Sequence, residues 1–234
     1  MFATATERHE LVFSPASFNP RRVLIGGVGA GGSWLALAIA KLGVRNIAIC
    51  DTQKVAIENV GPSLYGKKHV GMKKVDACAE IVYALSDDIE VQALDCRMED
   101  VGDYGEAAFL CVDSMQARLD LLYDQCVPRA KSLRRVFEGR MSAFFVMGHS
   151  LDPGSELQVS EWRRYWLEDK DTLPALQGCG ARPVSVGPTA SVIANLMAHQ
   201  FIQWWATVQG ARRKAPNQLR LDLDLWELES YCWE

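Results

Sequence analysis

The sequence lacks the features that mark membrane, secreted and nucleic-acid-binding proteins. No run of about 18 uncharged apolar residues occurs, so no transmembrane helix is expected. The first ten residues, MFATATERHE, do not have the basic and then apolar layout of a signal peptide. The formal net charge of −4 argues against nucleic acid as a partner, because phosphate binding favours a basic face. We therefore expect a cytoplasmic protein that binds neither a membrane nor nucleic acid.

Clustered metal ligands are also missing. The seven cysteines are scattered and form no C-x-x-C pair, so we expect no structural zinc site. The four histidines are scattered as well. Because the number of cysteines is odd and no signal peptide is evident, the sequence favours reduced thiols over disulfides.

The 234 residues, 49% of them hydrophobic, are sufficient for one well-buried domain. Neither a repeat nor a linker divides the chain, so we expect a single domain over residues 1–234. Within it, residues 1–21 are expected to form a loose N-terminal arm, because Pro15 and Pro20 oppose regular structure between them.

The most informative stretch ends at Asp51. An apolar run at 23–25 predicts a buried strand, and a G-x-G-x-x-G motif, a helical pattern and a second apolar run at 47–50 follow it. The glycines of the motif are Gly27, Gly29 and Gly32. Strand, glycine turn, helix, strand and acid occur in the order of a nucleotide-binding βαβ unit.

The three glycines have separate expected roles. Gly27 allows a sharp turn out of the strand, Gly29 removes a Cβ so that backbone N–H groups can approach phosphate, and Gly32 lets the helix pack closely on the sheet. Asp51 follows the motif at close to the spacing of about 20 residues that is typical of a carboxylate binding ribose hydroxyls. Two alternatives stay open: a glycine turn that serves packing alone, and Asp51 as a cap of the loop after it.

The rest of the chain predicts an α/β fold. Strands and helices alternate up to about residue 127, which indicates a Rossmann-like, mainly parallel, doubly wound sheet with helices on both faces. Antiparallel strands are expected to be added in the C-terminal half. The predicted helices are 70–86, 115–127, 158–172 (a short helix or crossover) and 189–209. The predicted strands after residue 51 are 89–95, 107–112, 133–150 (one or two strands) and 218–228, the last with one buried face. Residues 52–69 and 178–188 are predicted loops.

Four segments carry a further signal. They are the βαβ unit, E-N-V-G-P-S-L-Y-G-K-K-H-V-G-M-K-K-V-D-A at 58–77, C-V-D-S-M-Q-A-R at 111–118 and R-P-V-S-V-G-P at 182–188. In this order they resemble the ThiF/MoeB/HesA superfamily, the adenylating enzymes related to the ubiquitin-activating enzymes, over residues 20–210. The G-S-W-L-A run is also similar to plasmid-associated ThiF-like proteins. The resemblance implies a homodimer that binds ATP and Mg²⁺ and adenylates a carboxylate, usually the C-terminus of a ubiquitin-like or sulfur-carrier protein.

The resemblance also implies roles for individual residues. The nucleotide loop corresponds to the three glycines, and the ribose-binding acid corresponds to Asp51. The family's phosphate-contacting asparagine and lysine correspond to Asn59 and Lys74. The aspartate that handles Mg²⁺ and the triphosphate corresponds to Asp113. Without the resemblance, Lys74 is equally interpreted as part of a solvated basic patch, because other lysines lie at 67–73.

The chain departs from the family pattern at several positions. Pro62 stands where the family has an arginine that helps to neutralise the triphosphate, and Ser63 replaces a glutamine. Gln53 replaces the second aspartate of D-x-D, the family's zinc cysteines are absent, and Arg8 is the nearest counterpart of an N-terminal R-Y-x-R-Q segment. Proline cannot supply a cation. The candidates to replace that charge are Lys67, Lys68, Arg118 and Arg140, or a partner subunit.

Cys179 lies in a G-C-G loop, in a region where some relatives of the family place a thioester or persulfide cysteine. An exposed thiolate near a cation such as Arg182 is nucleophilic, and Cys179 is therefore a candidate catalytic residue. An ordinary loop cysteine is the alternative interpretation.

Three functions are compatible with these observations. The first is ATP-dependent adenylation of a carboxylate, with Asp113 and Lys74 as catalytic residues. The second, motivated by Pro62 and Ser63, is a degenerate, non-catalytic protein that holds nucleotide or serves as a dimeric scaffold. The third is an NAD-dependent oxidoreductase, which the glycine motif alone would allow, but no convincing catalytic His or Tyr lies near it in the sequence.

Overall fold

A computed structural model describes residues 6–172, 185–212 and 214–233, the side chains of 168–172 excepted. The strands within this part are β1 (Arg22–Gly26), β2 (Asn46–Cys50), β3 (Glu90–Leu94), β4 (Ala107–Leu110), β5 (Arg135–Met141), β6 (Phe145–Leu151), β7 (Gln218–Asp222) and β8 (Glu227–Tyr231). The α-helices within it are α1 (Pro15–Phe18), α2 (Ala30–Lys41), α3 (Lys74–Tyr83), α4 (Met115–Asp120), α5 (Glu156–Thr172) and α6 (Gly187–Val208). Helix α4 continues as a π-helical segment, Leu121–Cys126. None of the described helices is both long and apolar enough to cross a membrane.

The described strands form one sheet in the order β3-β2-β1-β4-β5-β6-β7-β8. Strands β3 to β5 in this order pair in parallel, and β6, β7 and β8 are added antiparallel. The predicted fold class, a mainly parallel sheet with antiparallel strands in the C-terminal half, is therefore confirmed. The short uninterrupted apolar run of β1 is explained by its central position, because both of its faces are buried.

Two hydrophobic cores cover the two faces of the sheet. Helices α2, α3 and α6 lie on one face, and α4 and α5 lie on the other. In the first core the rings of Phe109 and Phe137, on neighbouring strands, stack with centroids 4.8 Å apart, and Phe201 of α6 lies 5.9 Å from Phe109. Because helices cover both faces, a ligand can reach the sheet at the ends of its strands. In such sheets ligands bind at the carboxyl ends.

The prediction of a loose N-terminal arm is wrong for the described residues 6–21. Helix α1 begins at Pro15, because proline is favourable in the first turn of a helix, where its missing N–H has no intrahelical role. Phe18 is fully buried, and its ring lies 5.1 Å from that of Phe201 and 5.0 Å from that of Trp205. The segment belongs to the first core.

The prediction of one half-buried strand over 218–228 is also wrong. The segment forms a hairpin of β7 and β8, and a turn lies between Asp222 and Glu227. The Asp222 carboxylate accepts the N–H groups of Asp224 at 2.9 Å and Leu225 at 3.0 Å, which closes the turn. Alternation continues through the turn in the sequence, so periodicity alone did not reveal the reversal. Of the other predicted elements, 133–150 forms two strands, β5 and β6, and 158–172 lies within helix α5.

Candidate functional site

The candidate site lies at the carboxyl ends of β1, β2 and β4, which we call the carboxyl edge. Strand β1 leads to β2 and β3 on one side and β4 on the other, so the connections diverge at this point. In open α/β sheets the crevice for a ligand forms where the strand order reverses in this way. The glycine loop (27–32), the loop 52–66 and the turn 111–114 all follow these strand ends.

Two of the three glycines in the motif are tightly packed, and the third borders open space. Gly27 has a φ of +85°, and a Cβ there would lie 2.8 Å from the carbonyl oxygen of Cys111. A Cβ on Gly32 would lie 1.9 Å from the carbonyl oxygen of Gly27. A Cβ on Gly29 would meet one described atom within 4 Å, the Nζ of Lys74 at 3.9 Å. Gly27 and Gly32 are therefore needed for the backbone path, and Gly29 opens toward a lysine.

A pair of glycine variants in helix α2 tests the close packing at Gly32. We expect Gly32→Ala to lower the free energy of unfolding by about 1–3 kcal/mol, because the backbone of Gly27 must move to accommodate the methyl group. Gly31→Ala is the matched control, since its Cβ would lie at an ordinary contact distance of 3.5 Å from Ile193. We expect it to be neutral or to stabilise the helix by up to about 1 kcal/mol. Urea unfolding measures both; equal stabilities for the two variants would contradict the close packing.

Asp51 holds the glycine loop and its own loop together. One carboxylate oxygen accepts the N–H of Val28 at 3.0 Å, and the other accepts the N–H of Gln53 at 2.8 Å. The loop-capping role, which the sequence left open, is therefore present. Each oxygen keeps further acceptor capacity, so ribose binding and loop capping are compatible.

Lys74 is not part of the solvated basic patch. It is 6% exposed, and its ammonium donates to the amide oxygen of Gln53 at 2.6 Å. Its neighbours Lys68 and Lys73 instead form surface ion pairs with Glu80 and Asp95. In the described part of the chain no carboxylate forms an ion pair with this ammonium, and a buried ammonium needs an opposite charge. The glutamine at position 53 thus leaves the positive charge of Lys74 available at the glycine loop.

Tyr65 is a residue that sequence reasoning missed. It is 2% exposed, its hydroxyl donates to the carbonyl oxygen of Val28, and the same hydroxyl lies 3.2 Å from the carbonyl oxygen of Lys74. Burial raises the pKa of Tyr65 far above its ordinary value, so the hydroxyl stays protonated as a donor. Tyr65 therefore links the glycine loop to the start of α3. Its only signal in the sequence was an aromatic residue within a glycine-containing loop.

The loop after β2 is docked on helix α2. The carbonyl oxygen of Pro62 accepts the indole N–H of Trp34 at 3.1 Å. The amide oxygen of Asn59 accepts the N–H of Ala56 at 2.9 Å, and its backbone oxygen accepts the hydroxyl of Ser63. Asn59 thus uses its oxygen to close its own turn, while Pro62 and Ser63 fix the loop and carry no charge.

Asp113 lies beside the glycine loop. The N–H of Cys111 donates to the carbonyl oxygen of Gly26 at 2.8 Å, which places the 111–114 turn against the end of β1. Ser114 caps α4 by accepting the N–H of Ala117 at 3.2 Å. The carboxylate of Asp113 is exposed, and no described residue forms a hydrogen bond or ion pair with it. It is available to a ligand at the carboxyl edge.

Comparison with known proteins places the chain in a family. A model of the ThiF family matches residues 17–230. The chain belongs to the ThiF family. It is 24% identical over 218 residues to ubiquitin-like modifier-activating enzyme 5 of Bombyx mori, covering 86% of this chain and 54% of that protein. The chain thus spans about half the length of this curated relative.

Solved structures share the fold of this ThiF-family chain. PaaA matches with a TM-score of 0.77 at 18% identity, covering 99% of this chain and 83% of that one. Escherichia coli MccB with ATP matches with a TM-score of 0.72 at 14% identity, covering 99% and 69%. MccB with AMPCPP and MccA matches with a TM-score of 0.74 at 13% identity, covering 98% and 71%. The resemblance to the E1-like adenylating superfamily is confirmed.

Of the four candidates to replace the charge of the family arginine, Arg118, Arg140 and Lys68 form ion pairs with carboxylates, and Lys67 is exposed. Arg118 and Arg140 are 7% and 2% exposed, and both bind the buried carboxylate of Glu138. Lys68 binds Glu80 at the surface, at 2.6 Å. The ammonium of Lys74 lies 3.9 Å from the position that a Cβ on Gly29 would take. Cys179, the candidate nucleophile, lies outside the described residues.

The described residues suit a nucleoside triphosphate with a divalent cation. The first turn of α2 presents N–H groups without intrahelical partners, and the buried ammonium of Lys74 adds a full positive charge beside them. The exposed oxygens of Asp113 are the hard ligands that Mg²⁺ prefers. Lys74 follows β2 and Asp113 follows β4, the strands on either side of β1 in the sheet.

Proposed function

We propose that the protein catalyses ATP-dependent adenylation of a carboxylate. The observation that carries this proposal is the buried ammonium of Lys74. It is hydrogen-bonded to the neutral amide of Gln53 and faces the open side of the glycine loop, and no described carboxylate pairs with it, so phosphate would supply the missing opposite charge. Membership in the ThiF family supports the same conclusion.

In this reaction a carboxylate oxygen attacks the α-phosphorus of ATP. The bond from that phosphorus to the bridging oxygen breaks, and the products are an acyl adenylate and pyrophosphate. No base is needed, because the nucleophile is already an anion. The main requirement is to offset repulsion between the carboxylate and the phosphates. Lys74 and the helix N–H groups of the glycine loop contribute positive potential, and Asp51 orients the loop and binds ribose.

Asp113 would hold the Mg²⁺ that accompanies ATP. The metal supplies charge neutralisation of the phosphate oxygens. Asn59 contributes its amide N–H groups from the loop after β2. Pro62 leaves one positive charge fewer than relatives carry, and we propose that a second subunit or the substrate compensates for it in a homodimer.

The proposed substrate is the C-terminal carboxylate of a ubiquitin-like protein, a sulfur-carrier protein or a peptide. The support comes from relatives: one is named a ubiquitin-like modifier-activating enzyme, and MccB has been solved with MccA and a nucleotide analogue. We propose cytoplasmic action and, if Cys179 is accessible, transfer of the acyl group to its thiol. These parts of the proposal rest on the relatives rather than on contacts in this chain.

A non-catalytic nucleotide-binding protein is the second candidate function. The observation that favours it is Pro62, whose carbonyl oxygen is bonded to Trp34 at the position where relatives carry an arginine. This alternative predicts ATP binding without formation of pyrophosphate.

ATP–pyrophosphate exchange tests the proposal. We expect exchange that depends on a diglycine-tailed protein or peptide, and a loss of at least about 100-fold in Asp113→Asn, the scale of removing one preorganised electrostatic group. Asp95→Asn is the matched control, because Asp95 forms a surface ion pair with Lys73 at 2.7 Å. Nucleotide binding by calorimetry without exchange on any carboxylate would favour the non-catalytic alternative. Preferential binding of NAD would favour an oxidoreductase.

A further inference from the structure

The turn that carries Asp113 is fixed, although the carboxylate itself is exposed. On its N-terminal side, the N–H of Cys111 donates to the carbonyl oxygen of Gly26 at 2.8 Å. A Cβ on Gly27 would lie 2.8 Å from the carbonyl oxygen of Cys111. The turn and the glycine loop are therefore in van der Waals contact, so a shift of one displaces the other.

On its C-terminal side, the turn leads into helix α4, and two side chains hold the beginning of that helix. The indole N–H of Trp166 on α5 donates to the carbonyl oxygen of Met115 at 2.8 Å. The guanidinium of Arg118 donates to the carbonyl oxygen of Gly139 at 2.6 Å and also to the carboxylate of Glu138. Both acceptors lie in β5, where that strand runs past the end of β4. Helix α4 is thus held against β5, the strand next to β4.

The Arg118–Glu138 pair contributes little net stability to the fold. Both side chains are buried, and the desolvation of two charges offsets most of their attraction, so apolar residues of similar volume would be no less stable. Its geometric effect is more specific. Both bonds come from Nη1, whose two N–H directions are fixed by the planar guanidinium, whereas the N–H groups of a lysine ammonium rotate. The pair therefore determines where the first turn of α4 sits relative to β5.

We propose that Arg118 is a positioning residue that holds the Asp113 turn, through Glu138 and the Gly139 carbonyl, in the place where Asp113 binds the metal of ATP·Mg²⁺. This inference rests on the proposed function. It also gives Arg118 a different role from that of a substitute for the missing arginine, since its guanidinium is bonded to the Glu138 carboxylate and the Gly139 carbonyl.

Calorimetric binding of ATP with Mg²⁺ and of ATP in excess EDTA tests the inference. In Arg118→Lys we expect the affinity for ATP·Mg²⁺ to fall about ten-fold, the scale of losing a group that orients a metal ligand. The affinity for metal-free ATP should stay within about two-fold, because the glycine loop and Lys74 are not altered. Arg134→Met is the matched control; it removes a half-exposed arginine paired with Glu106 at 3.2 Å, and neither affinity should change.

Each outcome decides the inference. Equal losses with and without Mg²⁺ would show a general structural role, and no loss in either would show no role; both overturn it. Arg118→Met repeats the test if the lysine variant is unstable, because it leaves Glu138 paired with Arg140.

Asp113→Asn separates the failure of this inference from the failure of the proposed function. If it leaves ATP·Mg²⁺ binding intact, the metal role of Asp113 fails and the inference falls with it. If Asp113→Asn weakens that binding and Arg118→Lys does not, only the inference fails.

Discussion

Lys74→Met is expected to reduce ATP–pyrophosphate exchange by about 10²–10³-fold, the scale of losing one preorganised charge from a dry site. The methionine side chain keeps most of the apolar volume of the lysine but removes the ammonium that faces the glycine loop. The same change removes a buried charge that is bonded only to a neutral amide among the described residues. We therefore expect the melting temperature of the ligand-free protein to stay the same or to rise while activity is lost, as for a residue kept for function at a cost in stability.

Lys68→Met is the matched control for this prediction. Lys68 forms an ion pair with Glu80 of helix α3, the helix that begins at Lys74, and 71% of its side chain is exposed. Its replacement should change neither exchange nor ATP affinity. Similar losses for the two lysine variants would mean that the general basic potential of this surface matters and that Lys74 has no specific contact with phosphate. A lower melting temperature for Lys74→Met would contradict the argument that its charge is uncompensated.

Glu138→Ala is expected to lower the free energy of unfolding by about 3–5 kcal/mol, because it leaves buried cations without their carboxylate. Besides the two arginines, His149 Nδ1 lies 2.6 Å and the indole nitrogen of Trp162 3.2 Å from the carboxylate. Burial alone would raise the pKa of Glu138, but the charges of Arg140 and Arg118 hold it well below its ordinary value. Burial also lowers the pKa of His149 to about 4, so the ring is neutral at pH 7. The carboxylate is therefore ionised, and its main electrostatic partners are the two arginines.

Urea unfolding at pH 7 measures this loss. Glu80→Ala is the control, since Glu80 makes the exposed ion pair with Lys68, and exposed pairs contribute little to stability. We expect no measurable change for it. Glu138→Gln keeps the shape and some hydrogen bonds but not the charge, so a loss close to that of Glu138→Ala would assign the effect to charge. If Glu138→Ala is no less stable than Glu80→Ala, the network contributes nothing to folding and the argument fails.

Local order in the sequence was sufficient to predict the core of the candidate site. The glycine motif lies between two apolar runs, and Asp51 follows the second. This pattern predicts a βαβ unit from residues that are close together in the sequence. Residues that follow parallel strands lie at the carboxyl edge by geometry, which accounts for the positions of Asp113 and of the loop after β2. The same local reasoning failed for residues 6–21 and 218–228, where burial and a side-chain turn decided the structure.

Only the tertiary structure decided which charges are available. In the sequence Lys74 is one lysine in a basic run, but in the fold it is the one buried at the glycine loop while Lys68 and Lys73 meet carboxylates at the surface. Arg118 was a candidate to bind phosphate, and the fold commits it to Glu138 of β5. Burial and pairing depend on residues far apart in the chain, and no local pattern records them. The sequence by itself therefore determined the βαβ unit with its glycine loop and the family, and the fold determined which of the charges near that loop are buried and which are paired.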